Sequence, residues 1–275
     1  MQSPATSMSR FMTSPAGGHW ARIALLDADP DLGGGLDEQQ RADARRAIVV
    51  PRFTPTVKAW NDASLDRLVA GGIGALLVEG VLARELVLSD NVTAEILGPG
   101  DVIVPSHVDD PGRLLRSAVR WTVIEPTTFV LLGPDVAVAL AAYPAIYAEL
   151  IGRVAARAHR LSVAQAIAQL NGVDRRVLTL LWQLAERWGH VRPDGVHVPL
   201  RLPHRIVAQL VGARRPTVST AITTLARRGR VRRLDDGGWL LLGEPVGVPV
   251  GEASRVVHLR RRRSHVGASM PSAAG

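Results

Sequence analysis

Between Leu202 and Gly229 the chain brings together a histidine, several arginines and a run of hydroxyl residues at spacings that could meet a polyanion. Val207, Leu210 and Val211 recur at helical spacing, and Gly212 stands where a tight turn would need a left-handed residue. A second helix is expected to start near Arg214 to Pro216, because the N–H that proline lacks would have no helical partner in a first turn. Its inward stripe is Val218, Ile222 and Leu225. At about 100° per residue the opposite side presents Pro216, Thr220, Thr223 and Arg227, with Thr217 and Ser219 on the flanks and Arg215 at the leading edge. Hydroxyls and guanidiniums on one helix face suit phosphate oxygens and base edges. This helix-turn-helix pattern makes double-stranded DNA the leading candidate partner; the plainer alternative is a helical hairpin with a solvated basic face.

The residues that follow favour the DNA reading. Arg230, Arg232 and Arg233 lead into Val231 to Leu242, where Asp235-Asp236-Gly237-Gly238 separates two short apolar stretches as a β-hairpin turn would. A hairpin directly after a recognition helix is a wing. Residues 171–243 carry thirteen arginines against five carboxylates, a net of +8, whereas residues 20–135 carry eleven basic against seventeen acidic residues, a net of −6. The overall +8 thus hides an acidic front and a basic back, the pattern of a polyanion-binding module. Lys58 is the sole lysine, so the positive charge is nearly all guanidinium, a bias that genome base composition would equally produce.

With 275 residues and 47% hydrophobic content the chain can fill two modest cores. The absence of cysteine excludes disulfides, cysteine-held zinc, thiol catalysis and cysteine-ligated iron–sulfur clusters. No apolar run reaches membrane-spanning length and the first residues lack a signal-peptide core, so a cytoplasmic protein without a membrane partner is expected. Residues 1–19 and 244–275, the latter with Arg260 to Arg263, read as disordered tails.

Residues 20–135 read as a β-rich domain with strands at Ala47 to Val50, Gly74 to Val78, Ala83 to Leu88, Val92 to Leu97 and Val119 to Ile124, after a helix around Glu38 to Arg46. Short strands punctuated by turns imply a sandwich or jelly roll. Residues 136–170 read as a dimerisation segment, helical from about Pro144. Tyr147, Ile151, Val154, Ala158 and Leu161 alternate spacings of four and three, the seam of a two-helix coiled coil, continued by Gln165 and Ala168. Lying flat on the β domain is the alternative for this helix. Asn171-Gly172 marks a break, and Val177, Leu181, Leu184 and Trp188 give the first helix of a DNA-binding domain over residues 171–243 its core face.

A β-roll, a long helix and a winged helix-turn-helix, in that order, resemble the Crp/Fnr family of bacterial transcription regulators over roughly residues 20–243. The motifs carrying the resemblance are Val173 to Leu178 with Leu184 to Gly189, Gly212-Ala213-Arg214-Arg215-Pro216-Thr217-Val218-Ser219, and the Gly98-Pro99-Gly100-Asp101 turn. The resemblance implies an α+β fold: an antiparallel β-roll (jelly-roll) domain, a long dimerisation helix and a C-terminal winged helix-turn-helix domain. It implies a homodimeric regulator on a near-palindromic operator, with base readers at Arg215, Pro216 and Thr220 and phosphate contacts at His204, Arg214 and Thr217. Ser219 and Arg227 complete the candidate DNA-binding set. RNA polymerase and an unidentified small-molecule effector join DNA as candidate partners.

Departures from the family pattern matter. Pro216 replaces an acidic residue and Thr220 a later arginine, so the family's best-known operator preference does not carry over. In cyclic-nucleotide-binding relatives a Gly-Glu after the turn holds the ribose; here that slot reads Val104-Pro105, and Arg116-Ser117-Ala118 lies about two residues out of place for the phosphate-binding triplet. Unpaired ribose hydroxyls would cost roughly 1 to 3 kcal/mol each. Regulation without cAMP activation is therefore expected, a cAMP-dependent or other ligand-dependent regulator being the alternative. No cofactor or metal is expected: the eight histidines are scattered, and His190, His197 and His204 read as surface or phosphate-contact residues. Gly72-Ile73-Gly74 lacks dinucleotide-fingerprint spacing, no Gly-x-Ser-x-Gly elbow or Walker loop occurs, and Asp109-Asp110 reads as an exposed turn, which leaves an enzyme as a distant alternative.

Overall fold

A computed structural model describes residues 18–55, 71–105 and 114–245. The expected tails, Lys58, Asp109-Asp110 and Arg260 to Arg263 lie wholly or mostly outside them. The front part opens with strand β1 (Gly18–Ala24), the short helix α1 (Leu25–Ala28), a 3-10 turn (Pro30–Gly33) and helix α2 (Glu38–Ala47). Asp37 starts α2 through a capping box: its carboxylate accepts the Gln40 N–H at 2.8 Å while the Gln40 side chain accepts the Asp37 N–H at 3.1 Å. Strands β2 (Val49–Pro55), β3 (Gly74–Leu88), β4 (Asn91–Leu97), β5 (Val102–Ile103) and β6 (Ala118–Leu132) follow. Among the described residues they form one antiparallel sheet with β1, in the order β1-β2-β6-β3-β4, and β5 pairs with β3.

Helix α3 (Pro134–Leu140) precedes α4 (Pro144–Ala168), and α5 (Val173–Trp188) follows the Gly172 break. The back part comprises β7 (His190–Arg192), β8 (Gly195–Val198), helices α6 (His204–Leu210) and α7 (Arg215–Arg227), and strands β9 (Val231–Arg233) and β10 (Trp239–Leu241). The second sheet runs β7-β8-β10-β9. The fold is thus α+β, an antiparallel roll joined by a long helix to a winged helix-turn-helix. Among the described residues no helix is long and apolar enough to cross a membrane.

Several expectations need correction. The strands expected at Gly74 to Val78 and Ala83 to Leu88 are one strand, β3, paired along its length with β6. Gly80 reads as a turn signal, yet here it lies inside a run of register shifts between Leu77 and Leu82, at φ 83°, where a Cβ would sit 2.0 Å from the Pro126 carbonyl oxygen. Ala47 ends α2 and strand β2 runs Val49–Pro55, because an alanine-bounded helix continues until Ile48 turns into the core. Gly18 and His19 belong to β1 rather than to a tail, since β1 finds a full partner in β2. The segment 136–170 holds two helices separated at Tyr143, because Pro144 can open a helix but not continue one.

The irregularity in β3 positions the two halves. Ala75 and Leu77 face the interior of the roll, with Phe53, Trp121 and Phe129. Beyond the shifts the interior residues are Leu82 and Leu86, so Val81 and Ala83 turn outward with Ile96 and enter the core of the helix-turn-helix domain around Val177, Leu181, Val207 and Leu225. A third core joins α1 to α4 around Leu25, Leu32, Ile146 and Leu150. One strand thereby serves both domains.

Candidate nucleic-acid interface

Helices α6 and α7 are held by their apolar faces. Ile206, Val207, Leu210, Val218, Ala221 and Leu225 are buried, whereas Ile222 from the expected stripe is half-buried. Gly212 sits at φ 60°, the left-handed conformation the turn needs, and the Ala213 N–H closes on the Ala208 carbonyl at 2.9 Å. The Arg176 guanidinium reaches across from α5 and donates to the Leu170, Val211 and Gly212 carbonyls at 2.7, 3.3 and 3.3 Å, tying the turn to the helix before it. The sequence offers no signal for that role beyond one more arginine.

The outward face of α7 carries the residues expected there. Arg214, Arg215, Pro216, Thr217, Thr220, Thr223 and Arg227 are exposed and Ser219 is half-buried. Ser219, Thr220 and Thr223 each donate to the carbonyl four residues earlier, at 3.2, 3.2 and 3.0 Å, so their oxygens keep lone pairs toward solvent. The Arg214, Arg215 and Arg227 guanidiniums make no hydrogen bond or ion pair with another described residue, and Arg201, exposed beside the wing turn at Gly237, is equally free. Arg228 and Arg232 instead pair with Asp174 and Asp194, at 3.0 and 3.1 Å.

His204 sits between the two helices, its Nδ1 3.0 Å from the Ser219 hydroxyl oxygen. The same hydroxyl lies 3.2 Å from the Arg215 carbonyl; when it donates there, Nδ1 carries the imidazole proton and Nε2 is the unprotonated nitrogen. Burial, aided by the positive charges of Arg233 and Arg215, holds the imidazole below its ordinary pKa.

The wing forms as expected and belongs to a larger sheet. Gly237, at φ 79°, turns the hairpin, and Asp236 accepts the Gly238 N–H at 2.7 Å, which holds its carboxyl below the usual range. Arg233 lies over the Trp239 ring, 4.2 Å from its centre. His197 differs from the expectation of a surface role: it is 4% exposed, with Nδ1 2.6 Å from an Arg192 nitrogen and Nε2 3.0 Å from the Asp236 carboxylate. The strands β7 and β8, missed in the sequence because each is so short, carry it under the wing turn.

The candidate dimer residues divide. Tyr147, Ile151 and Leu161 are 48, 50 and 43% exposed, and Ala158 is exposed beside them. Val154 is half-buried against the core shared by α1 to α4, so it belongs to the helix's inward side. That inward side is fastened by ion pairs: Arg153 with Asp29, Arg157 with Glu95 at 2.5 Å, and Arg160 with Asp101.

Residues 175–243 match the family model for the Crp-like helix-turn-helix domain. CRP-like cAMP-activated global transcriptional regulators from two strains of Mycobacterium tuberculosis are each 33% identical to this chain over 138 residues, covering 50% of it and 60% of the relative. The match thus spans less than two thirds of those relatives' length. A CooA mutant structure from Carboxydothermus hydrogenoformans aligns with a TM-score of 0.51 at 20% identity, covering 62% of this chain and 74% of that one, a likeness of fold.

Proposed function

We propose, from the premise that this chain carries the Crp-like helix-turn-helix domain of the Crp/Fnr regulators, that it is a sequence-specific transcription regulator binding a near-palindromic operator as a homodimer. The observation that carries the reading is the outward face of α7, where the guanidiniums of Arg214, Arg215 and Arg227, unpaired among the described residues, and the hydroxyls of Thr217, Thr220 and Thr223 stand together beside a wing. The α4 helices would join two copies, setting the recognition helices about one helical turn of DNA, roughly 10 bp, apart. RNA polymerase would be a further partner and the cytoplasm the site of action, with no catalytic step. The proposed units are a roll over 20–135, a dimerisation segment over 136–170 and a DNA-binding domain over 171–243.

The Val104-Pro105 pair supports regulation without cAMP: neither side chain accepts a hydrogen bond, and Arg116 is exposed. The name of the mycobacterial relatives favours cAMP dependence as the second reading. Selection of DNA fragments on the purified chain, with and without cAMP, tests both. A palindrome enriched equally in the two arms is expected; failure to enrich any sequence at moderate salt would remove the regulator reading, and enrichment only with cAMP would establish the second.

Arg215→Ala should relax preference at one position of each half-site, by about 1 to 3 kcal/mol of discrimination for a bidentate guanine contact. Thr217→Ala should weaken every sequence alike. Competition binding with single-base operator variants reads both; an unchanged preference in Arg215→Ala would show that α7 does not read bases through that residue.

His204 makes binding pH-dependent. In the free chain its pKa is lowered, so Nε2 is unprotonated near neutrality; a phosphate at Nε2 would raise the pKa and binding would take up a proton. The sign follows: affinity rises as pH falls through the pKa of the complex and levels off below that of the free chain. The gain is bounded at about tenfold per unit of pKa change. Operator titrations from about pH 8 to 5.5 should show this slope in the wild type and not in His204→Gln.

A further inference from the structure

Glu85 is an unusual residue for its place. It lies in the middle of β3, turned outward by the irregularity at Gly80 onto the face that the helix-turn-helix domain covers, and it is 2% exposed. A carboxylate taken out of water there costs several kcal/mol unless it is paired. Two side chains one turn apart on α6 supply the pairing. Arg205 donates to both Glu85 oxygens, at 2.7 and 3.2 Å, and Gln209 donates at 2.9 Å. Thr122 of β6 adds a bond at 2.6 Å. Burial pushes the carboxyl pKa up, and these bonds outweigh it, leaving the pKa below the usual value.

Two further features make this contact more than glue between domains. The Arg205 side chain is 49% exposed and follows in sequence on His204, a candidate phosphate contact whose ring touches Ser219 of α7. Arg120, opposite Glu85 on β6 and 59% exposed, holds its guanidinium 3.7 Å from the carboxylate oxygen Oε2, within ion-pair range and beyond a hydrogen bond. Glu85 therefore has one guanidinium bonded to it from the DNA-binding domain and a second held close on its own sheet.

We infer that Glu85 masks a DNA-contacting arginine: in the free chain it holds Arg205, and when a DNA phosphate takes that guanidinium, Arg120 closes on Glu85 and keeps the buried carboxylate paired. Arg205 is thus a phosphate-binding residue whose availability is set by the β-roll. The exchange leaves no charge stranded, because the phosphate replaces the carboxylate at Arg205 and Arg120 replaces Arg205 at Glu85. Any motion or ligand that pulls β3 and α6 apart would free Arg205 without touching α7. The inference rests on the DNA-binding reading above.

The test uses the full chain and the operator recovered by selection. Glu85→Gln should tighten binding roughly fivefold or more, and Arg120→Gln should weaken it severalfold. In the Glu85→Gln background Arg120→Gln should have no further effect, because the carboxylate it serves is gone. Hydrogen exchange without DNA should quicken over residues 204–210 in Glu85→Gln. If that variant does not fold, Gln209→Leu, which keeps the ion pair, should still tighten binding by a smaller factor. An unchanged or weakened affinity in the Glu85 or Gln209 variant would overturn the inference, as would an equal loss from Arg120→Gln in both backgrounds, which would make Arg120 a direct DNA contact. A wild-type chain that selects no sequence would instead dispose of the DNA-binding reading itself.

Discussion

Ile151→Glu should leave the protein monomeric and lower operator affinity by about a hundredfold or more, because a monomer grips only one half-site and forfeits the effective concentration that joins the two. Helix α4 cannot turn to hide the residue. Its inward side is pinned by Ile146 and Leu150 in the core and by Arg153, Arg157 and Arg160 on carboxylates of the roll, so Tyr147, Ile151 and Leu161 are held toward solvent. Each large apolar side chain gains about 1.5 to 3 kcal/mol on full burial, and a two-fold contact doubles every one. A glutamate at 151 would meet its own copy across the axis, adding like-charge repulsion to the loss of apolar area. Sedimentation should report one chain of 29.5 kDa for the variant and twice that for the wild type. A variant that still sediments as a dimer would show that α4 is not the joining surface.

The sequence disclosed the recognition helix and the wing well, for a physical reason. Both are local: the Val218 to Leu225 spacing, the Gly212 turn and the Asp235 to Gly238 hairpin depend on neighbours within a few residues. The misreadings came from long-range geometry. A glycine such as Gly80 reads locally as a turn, and only the pairing of the 15-residue β3 with β6 makes it the pivot of a continuous strand. Val154 fits a heptad seam by spacing, yet it packs against the core that holds Leu25, Leu32 and Leu150. Nothing local distinguishes Glu85 from any solvent-facing strand residue, since its partners Arg205 and Gln209 lie 120 and 124 residues away. Periodicity assigns a face to a residue, and the other domain decides what that face meets.

The Gly98-Pro99-Gly100-Asp101 turn shows the same limit and carries the second large effect. Asp101, 2% exposed, folds back on the turn to accept the Gly98 N–H at 2.9 Å. One of its oxygens also takes Arg187 of α5 at 2.5 Å and the other takes Arg160 of α4. Arg187 completes the junction by donating to the Pro99 carbonyl at 2.7 Å and stacking on Trp188, 4.6 Å from the ring centre. A single carboxylate therefore fixes the roll, the long helix and the first helix of the DNA-binding domain to one another. Asp101→Ala would set two guanidiniums side by side without their counter-ion and strand a buried N–H. Breaking such a group costs about 3 to 5 kcal/mol when all partners are buried. Arg160 and Arg187 keep 35 and 22% of their side-chain surface in water, which lowers the expected loss to about 2 to 4 kcal/mol. Asp101→Asn, which keeps an acceptor for the Gly98 N–H, should lose less. Urea unfolding followed by tryptophan fluorescence measures both, and in Asp101→Ala the front and back domains should melt apart, since α5 then loses its ion pair with the roll and keeps its apolar contacts and the Arg187 bond to the Pro99 carbonyl. A variant that unfolds in one step at the wild-type midpoint would show that the Asp101 group adds nothing to the joint made by Val81, Ala83 and Ile96 and by Glu85 with Arg205 and Gln209.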